Sequence, residues 1–159
     1  MDVVLKTLLY SYPSFASVKE GLFRLIEHKA VVSFHNCSKT LEQMNNIIKL
    51  NNQIAKVSEL EKIVQDLLSD LNTKERMLIE YKFFKRQPPI GFDYSSRTYF
   101  RAQEKVFKHL LIQMKINKYD HVWFLTNYSD LYFLISKYNS LKKRKALGSV
   151  SNSVVDAES

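Results

Sequence analysis

A chain that reverses direction often needs glycine and proline, and this one holds three of each in 159 residues. Average usage would supply roughly twenty between them. β-Sandwiches and barrels require these residues at their tight turns, and phosphate-cradling folds require runs of glycine. Both classes are disfavoured, and an all-α fold is expected. Apolar residues make up 45% of the sequence, enough to build a sizeable core. The length fits one domain plus appendages.

Cys37 is the sole cysteine, so no internal disulfide is available and a reducing compartment suits the chain. No apolar run reaches the ~18–20 residues that span a bilayer. The segment Met1 to Lys6 lacks the basic start and small-residue cleavage site of a signal peptide. A cytoplasmic location is expected, with no membrane partner. Chemistry finds little support either. His35 and Cys37 offer two metal ligands where a structural zinc needs four. The pairs Glu59 with Glu61 and Asp66 with Asp70 fit a charged helix face, and no nucleophile elbow or phosphate loop occurs. No enzyme activity, metal or cofactor is expected.

The net charge of +8 is concentrated. Residues 1 to 72 carry eight basic and eight acidic side chains, and residues 119 to 159 carry five and four. Residues 73 to 118 carry eleven basic side chains against four acidic ones. One short stretch therefore holds nearly all the excess, which is the footprint of a polyanion-binding module. A solvated helical face rich in lysine is the plainer explanation of the same pattern.

Helical spacing organises the chain. A short apolar helix begins at Val3 and stops at Tyr12-Pro13, after which Ser14 caps a second helix with Phe15, Val18, Leu22, Leu25, Ile26 and Ala30 on its apolar positions. Residues 31 to 38 read as a connector. A long third helix runs from about Lys39 to Asp70. Its positions Ile47, Leu50, Ile54, Val57, Glu61, Val64, Leu68 and Leu71 alternate in steps of three and four, a coiled-coil-like seam with one acidic member. That seam either packs within the chain or pairs with a second copy as a homodimer. Leu41, Met44, Ile48, Leu60 and Ile63 widen the apolar face, which favours packing within the chain.

Asn72 with Glu75 three residues later forms a capping box, opening a helix expected to bury Met77, Leu78, Tyr81 and Phe84. After Pro88-Pro89 and the turn Ile90 to Asp93, Ser95 or Ser96 caps another helix. Tyr99, Ala102, Val106 and Leu110, joined by Phe107, form its inward face. Ser96, Arg97, Arg101, Lys105 and Lys108 then project outward, mostly from its first turns. A recognition helix has this arrangement, with arginines and small hydroxyls reading bases while lysines meet phosphates. Residues 116 to 128, with Trp123, are expected to fold back over this module. Leu131, Leu134, Ile135, Tyr138 and Leu141 mark a last helix that ends in the basic run Lys142 to Lys145. The organisation expected is a helical protein-contact or oligomerisation region over 1–71, a helix-turn-helix over 72–115, an extension over 116–147 and a disordered tail over 148–159.

Two segments carry a family likeness: Glu75-Arg76-Met77-Leu78-Ile79, and Tyr94 to Arg101 continued by Lys105 to Leu110. Together they resemble the DNA-binding helix-turn-helix of sigma-70-family region 4 and of phage-type regulators related to it, the ArpU and RinA kinds. The likeness covers roughly residues 66 to 114. It departs from the family in the middle, where two prolines and a glycine within 85–93 allow at most one helical turn in place of a full helix. The resemblance implies double-stranded DNA as partner. Ser95, Ser96, Arg97, Thr98 and Arg101 would face the groove, with Lys105 and Lys108 on the backbone. It also implies a transcriptional regulator of phage or mobile-element type. Two rivals share the sequence features: a small terminase-like packaging factor, and a helical adaptor whose partner is a protein, RNA polymerase among the candidates.

Overall fold

The computed structural model describes residues 2–35, 40–87 and 97–155. Among them there is no strand. The helices are α1 (Asp2–Ser11), a 3-10 turn at Tyr12–Ser14, α2 (Phe15–His35), α3 (Thr40–Ser69), α4 (Thr73–Phe83), α5 (Arg97–Ile116), α6 (His121–Tyr128) and α7 (Tyr132–Val155). The fold is all-α. No helix among the described residues is long and apolar enough to cross a membrane. Two of the three glycines, Gly21 and Gly148, lie inside helices, so turns are made by other means.

Two helix ends show how. Lys118 takes the left-handed conformation usually filled by glycine, with φ 57°. Its N–H donates to the Lys115 carbonyl, and that of Tyr119 donates to the Met114 carbonyl, at 3.1 and 2.9 Å. Together they close the last turn of α5. Lys85, with φ 54°, occupies the same region just past α4. Helix starts follow the sequence rules. Asn72 and Glu75 form the expected capping box, and the Asp120 carboxylate accepts from the Trp123 N–H at 2.8 Å to open α6.

The chain divides into two compact units, Tyr12–Asp70 and a discontinuous one of Met1–Ser11 with Leu71–Ser159. The first is the α2–α3 hairpin. Ile54, Val57, Val64 and Leu68 of the expected seam are buried, with Leu60, Ile63 and Leu67 beside them. Glu61, the acidic member, is ion-paired with Lys19 of α2, which explains how a carboxylate is accommodated there. Leu41, Met44 and Ile48 stay exposed and do not join this core. Helix α2 continues through His35, further than the connector expected from residue 31, while Asn36, Cys37 and Ser38 lie outside the described residues.

In the second unit α1 packs on α7 and α5, which lie far from it in sequence. The reason is physical. Val4, Leu5, Leu8 and Leu9 are fully buried and so is Thr7, whose hydroxyl donates to the Val3 carbonyl at 2.7 Å. A helix covered on nearly every side needs several neighbours. Leu78, Ile79 and Phe83 form the buried side of α4, leaving Met77 exposed and Tyr81 and Phe84 half-buried. Helix α7 runs to Val155, past the tail boundary expected at 148.

The Lys19–Glu61 pair makes a stability prediction. Lys19→Met leaves a largely covered carboxylate without its cation and is expected to destabilise the chain by about 1–3 kcal/mol. Adding Glu61→Leu should recover most of that loss. Urea unfolding of the two variants measures it; a double variant less stable than Lys19→Met would refute the account.

Candidate nucleic-acid interface

Helix α5 separates its two kinds of side chain cleanly. At about 100° per residue, Tyr99, Gln103, Val106 and Leu110 cluster on one side, and Arg97, Thr98, Arg101, Lys105 and Lys108 fall within an arc of about 100° on the opposite side. The first set is buried and the second is exposed, as the spacing indicated. Gln103 was not anticipated on the inner face. It is a buried polar group that donates to the Tyr99 hydroxyl at 3.3 Å. Ala102 and Phe107 are half-buried at the edges.

Helix α4 sets the position of α5 through aromatic contacts. The Tyr81 ring meets Tyr99 edge-on at 6.1 Å, and Phe83 stacks on Phe107 at 6.2 Å. Tyr10 of α1 packs edge-on against the same Phe83 at 4.7 Å. These rings fix which side of α5 is left to water.

The exposed stripe runs about 16 Å from Arg97 to Lys108. Lys108 pairs with Glu104 at 2.9 Å, a solvated i,i+4 contact worth little. Arg97, Arg101 and Lys105 have no carboxylate in ion-pair reach among the described residues. As successive i,i+4 like charges they repel one another, and an anionic partner removes that cost. Ser95 and Ser96, expected at the head of this set, lie outside the described residues, as does the turn at 88–93.

Beside the stripe is a groove of about 560 Å³ between α4 and the start of α5. Lys82 of α4 lines it together with Lys85 and Arg86 from the segment just past that helix, and Tyr81, Tyr99 and Phe100 supply rings. Phe100 stands at the open side of this groove. It is 59% exposed and leans edge-on against Tyr99. These three cations entered the sequence reading only through the charge map. Their convergence depends on where α4 ends, which the left-handed Lys85 decides.

A second basic groove joins α1, α4 and α7. Lys6, Lys82, Arg144 and Lys145 line it around Asp2, which lies 3.4 Å from Lys6 and 3.8 Å from Lys145. The basic run near the end of the chain is therefore part of a side-chain cluster. Lys82 belongs to both grooves, and burial together with the Lys6 charge lowers its ammonium pKa below the ordinary lysine value, with Asp2 opposing. Among the described residues no three His, Cys, Asp or Glu side chains converge to hold a metal ion.

Comparison with family models, curated proteins and solved structures finds no match. The site is therefore read from its own geometry.

The lowered Lys82 pKa makes a prediction whose sign is fixed. A group charged in water and penalised when folded costs stability below its folded pKa, and the cost fades as pH rises towards the ordinary lysine range. Lys82→Met is therefore expected to raise the melting temperature near neutral pH, by an amount that shrinks on going to alkaline pH. Thermal melts across that range test it; a gain that grew with pH would contradict the assigned cause.

Proposed function

We propose that the protein is a sequence-specific double-stranded-DNA-binding regulator of transcription, and that α5 is its recognition helix. The observation that carries the reading is the stripe Arg97, Thr98, Arg101, Lys105 and Lys108, which is exposed along a helix whose opposite side is locked into a core. A rigid helix about 10–12 Å across fits a major groove about 12 Å wide. Arginines near its N-terminus suit the paired acceptors of guanine, and lysines further along suit phosphates. Lys82, Lys85 and Arg86, on the flanking groove, supply further backbone contacts. The phage or mobile-element setting rests on the resemblance to sigma-70 region 4 alone.

Binding of this kind is electrostatic in strength and geometric in choice. Each neutralised phosphate contributes about −0.9 to the slope of log affinity against log salt, regardless of sequence. A bidentate arginine–guanine contact adds roughly 1–3 kcal/mol of discrimination. The two contributions are separable by mutation.

The test is enrichment of bound duplexes from a random library, followed by titration of the enriched duplex at two salt concentrations. The wild type is expected to select a motif and bind it with steep salt dependence. Arg97→Ala combined with Arg101→Ala should erase the motif, whereas Lys108→Ala should leave it and lower the slope by about one. An identical motif from the double variant would defeat the groove assignment, and binding insensitive to salt would defeat the reading as a whole.

A further inference from the structure

Helix α1 turns Val4, Leu5, Leu8 and Leu9 into the core and keeps Asp2, Lys6 and Tyr10 half-buried. These three stand on one wall of the second basic groove, a hollow of about 330 Å³. Pockets of about 300–1,000 Å³ take small ligands, and this one is at the small end of that range. Lys82 lines it from α4, and Arg144 and Lys145 line it from α7. Lys142 and Lys143 of the same basic run are exposed but do not line it. Every wall belongs to one compact unit.

The charges of this hollow do not balance. Four cations surround one carboxylate. A single oxygen, Oδ2 of Asp2, lies 3.4 Å from Lys6 Nζ and 3.8 Å from Lys145 Nζ. Among the described residues neither Lys82 nor Arg144 has a carboxylate in ion-pair reach. We propose that the groove is a binding site for adjoining phosphate groups, held by Lys82, Arg144 and Lys145 with Lys6 behind them. Linked phosphates concentrate several negative charges and acceptor oxygens in a small volume. The planar fork of an arginine takes two such oxygens at once, and ammonium groups meet the others as point charges. An acidic peptide fits less well, because successive side chains of an extended strand point to opposite sides. Nor is a base recognised, since the one ring in the wall, Tyr10, already carries Lys137 Nζ at 5.2 Å from its centroid. An anion seated there also relieves Lys82, whose charged form is disfavoured by burial and by Lys6.

Two sources share this chemistry, a free polyphosphate and the backbone of a nucleic acid. Lys6 Nζ lies 5.4 Å from the centroid of the Phe107 ring, which sets the groove beside α5. The backbone source rests on the DNA reading, whereas the free source stands apart from it.

Calorimetric titration of the full chain with inorganic triphosphate tests the free source, and duplex titration over a range of salt tests the backbone. Arg144→Gln with Lys145→Gln removes two groove cations, and Lys142→Gln with Lys143→Gln removes the same charge outside the groove. The groove pair is expected to weaken triphosphate binding roughly tenfold or more, and the outer pair less than about twofold, because only the former loses charge-assisted contacts. With duplex seated there, the groove pair lowers the salt slope by about two and the outer pair leaves it unchanged. A loss specific to the groove pair in either arm supports the site and identifies the source. Circular dichroism checks folding; if the groove pair does not fold, Lys82→Met carries the triphosphate arm. Equal losses from the two pairs overturn the proposal, as does the absence of any groove-specific loss in both arms. A chain that binds triphosphate through the groove but ignores duplex counts only against the recognition helix. A chain that selects a motif while both arms are indifferent to the groove pair counts only against the groove.

Discussion

Helix α5 has to satisfy a packed interior and open water at once, and the discontinuous unit is organised around that demand. Tyr99, Val106, Leu110 and Met114 fill the interior side. Rings from α4 press on Tyr99 and Phe107, so the helix cannot rotate about its axis without breaking those contacts. Rotation by a third of a turn would bring cations under the core and expel leucine from it, at a cost far above what a small domain has in reserve. The orientation of Arg97, Arg101, Lys105 and Lys108 is thus a consequence of packing on the far side of the same helix. Their mutual repulsion is tolerated because apolar burial dominates it.

The separation of charge between the two units follows a similar logic. Residues 12 to 70 carry seven cations and seven carboxylates, so the whole surplus collects in the other unit. Excess charge of one sign repels itself, so the charge-balanced hairpin folds without that cost and the cationic unit has to tolerate it. Lys82, crowded by Lys6, shows how densely cations are packed where they collect.

Much of this was legible in the sequence, for identifiable reasons. Helix content followed from the lack of glycine and proline, and the α4 start from Asn72 with Glu75, because capping depends on adjacent residues alone. The two sides of α5 followed from spacing, since cations and apolar residues there never compete for one position. Legibility failed where a distant element decides the outcome. The placement of α1 depends on α7, which no local pattern encodes. Met77 and Leu78 are equivalent by hydrophobicity, and only the direction of the neighbouring helices leaves the first in water. Gln103 is polar and carries no sign of burial in the sequence, because its partner, the Tyr99 hydroxyl, is fixed only once the helix is packed. Leu41, Met44 and Ile48 read as core because periodicity cannot tell a face covered within one chain from a face left open.

The pairing of α1 with α7 has a temporal meaning. During synthesis α1 emerges with its apolar sides bare, and α5 and α7, which cover it, are made after the whole hairpin between them. The hairpin between them, built from contacts close in sequence, is able to form while α7 is still inside the ribosome, since local contacts close quickly and long loops slowly. The basic unit is consequently completed only after α7 has been made, and a nascent chain exposes no finished cationic surface before then.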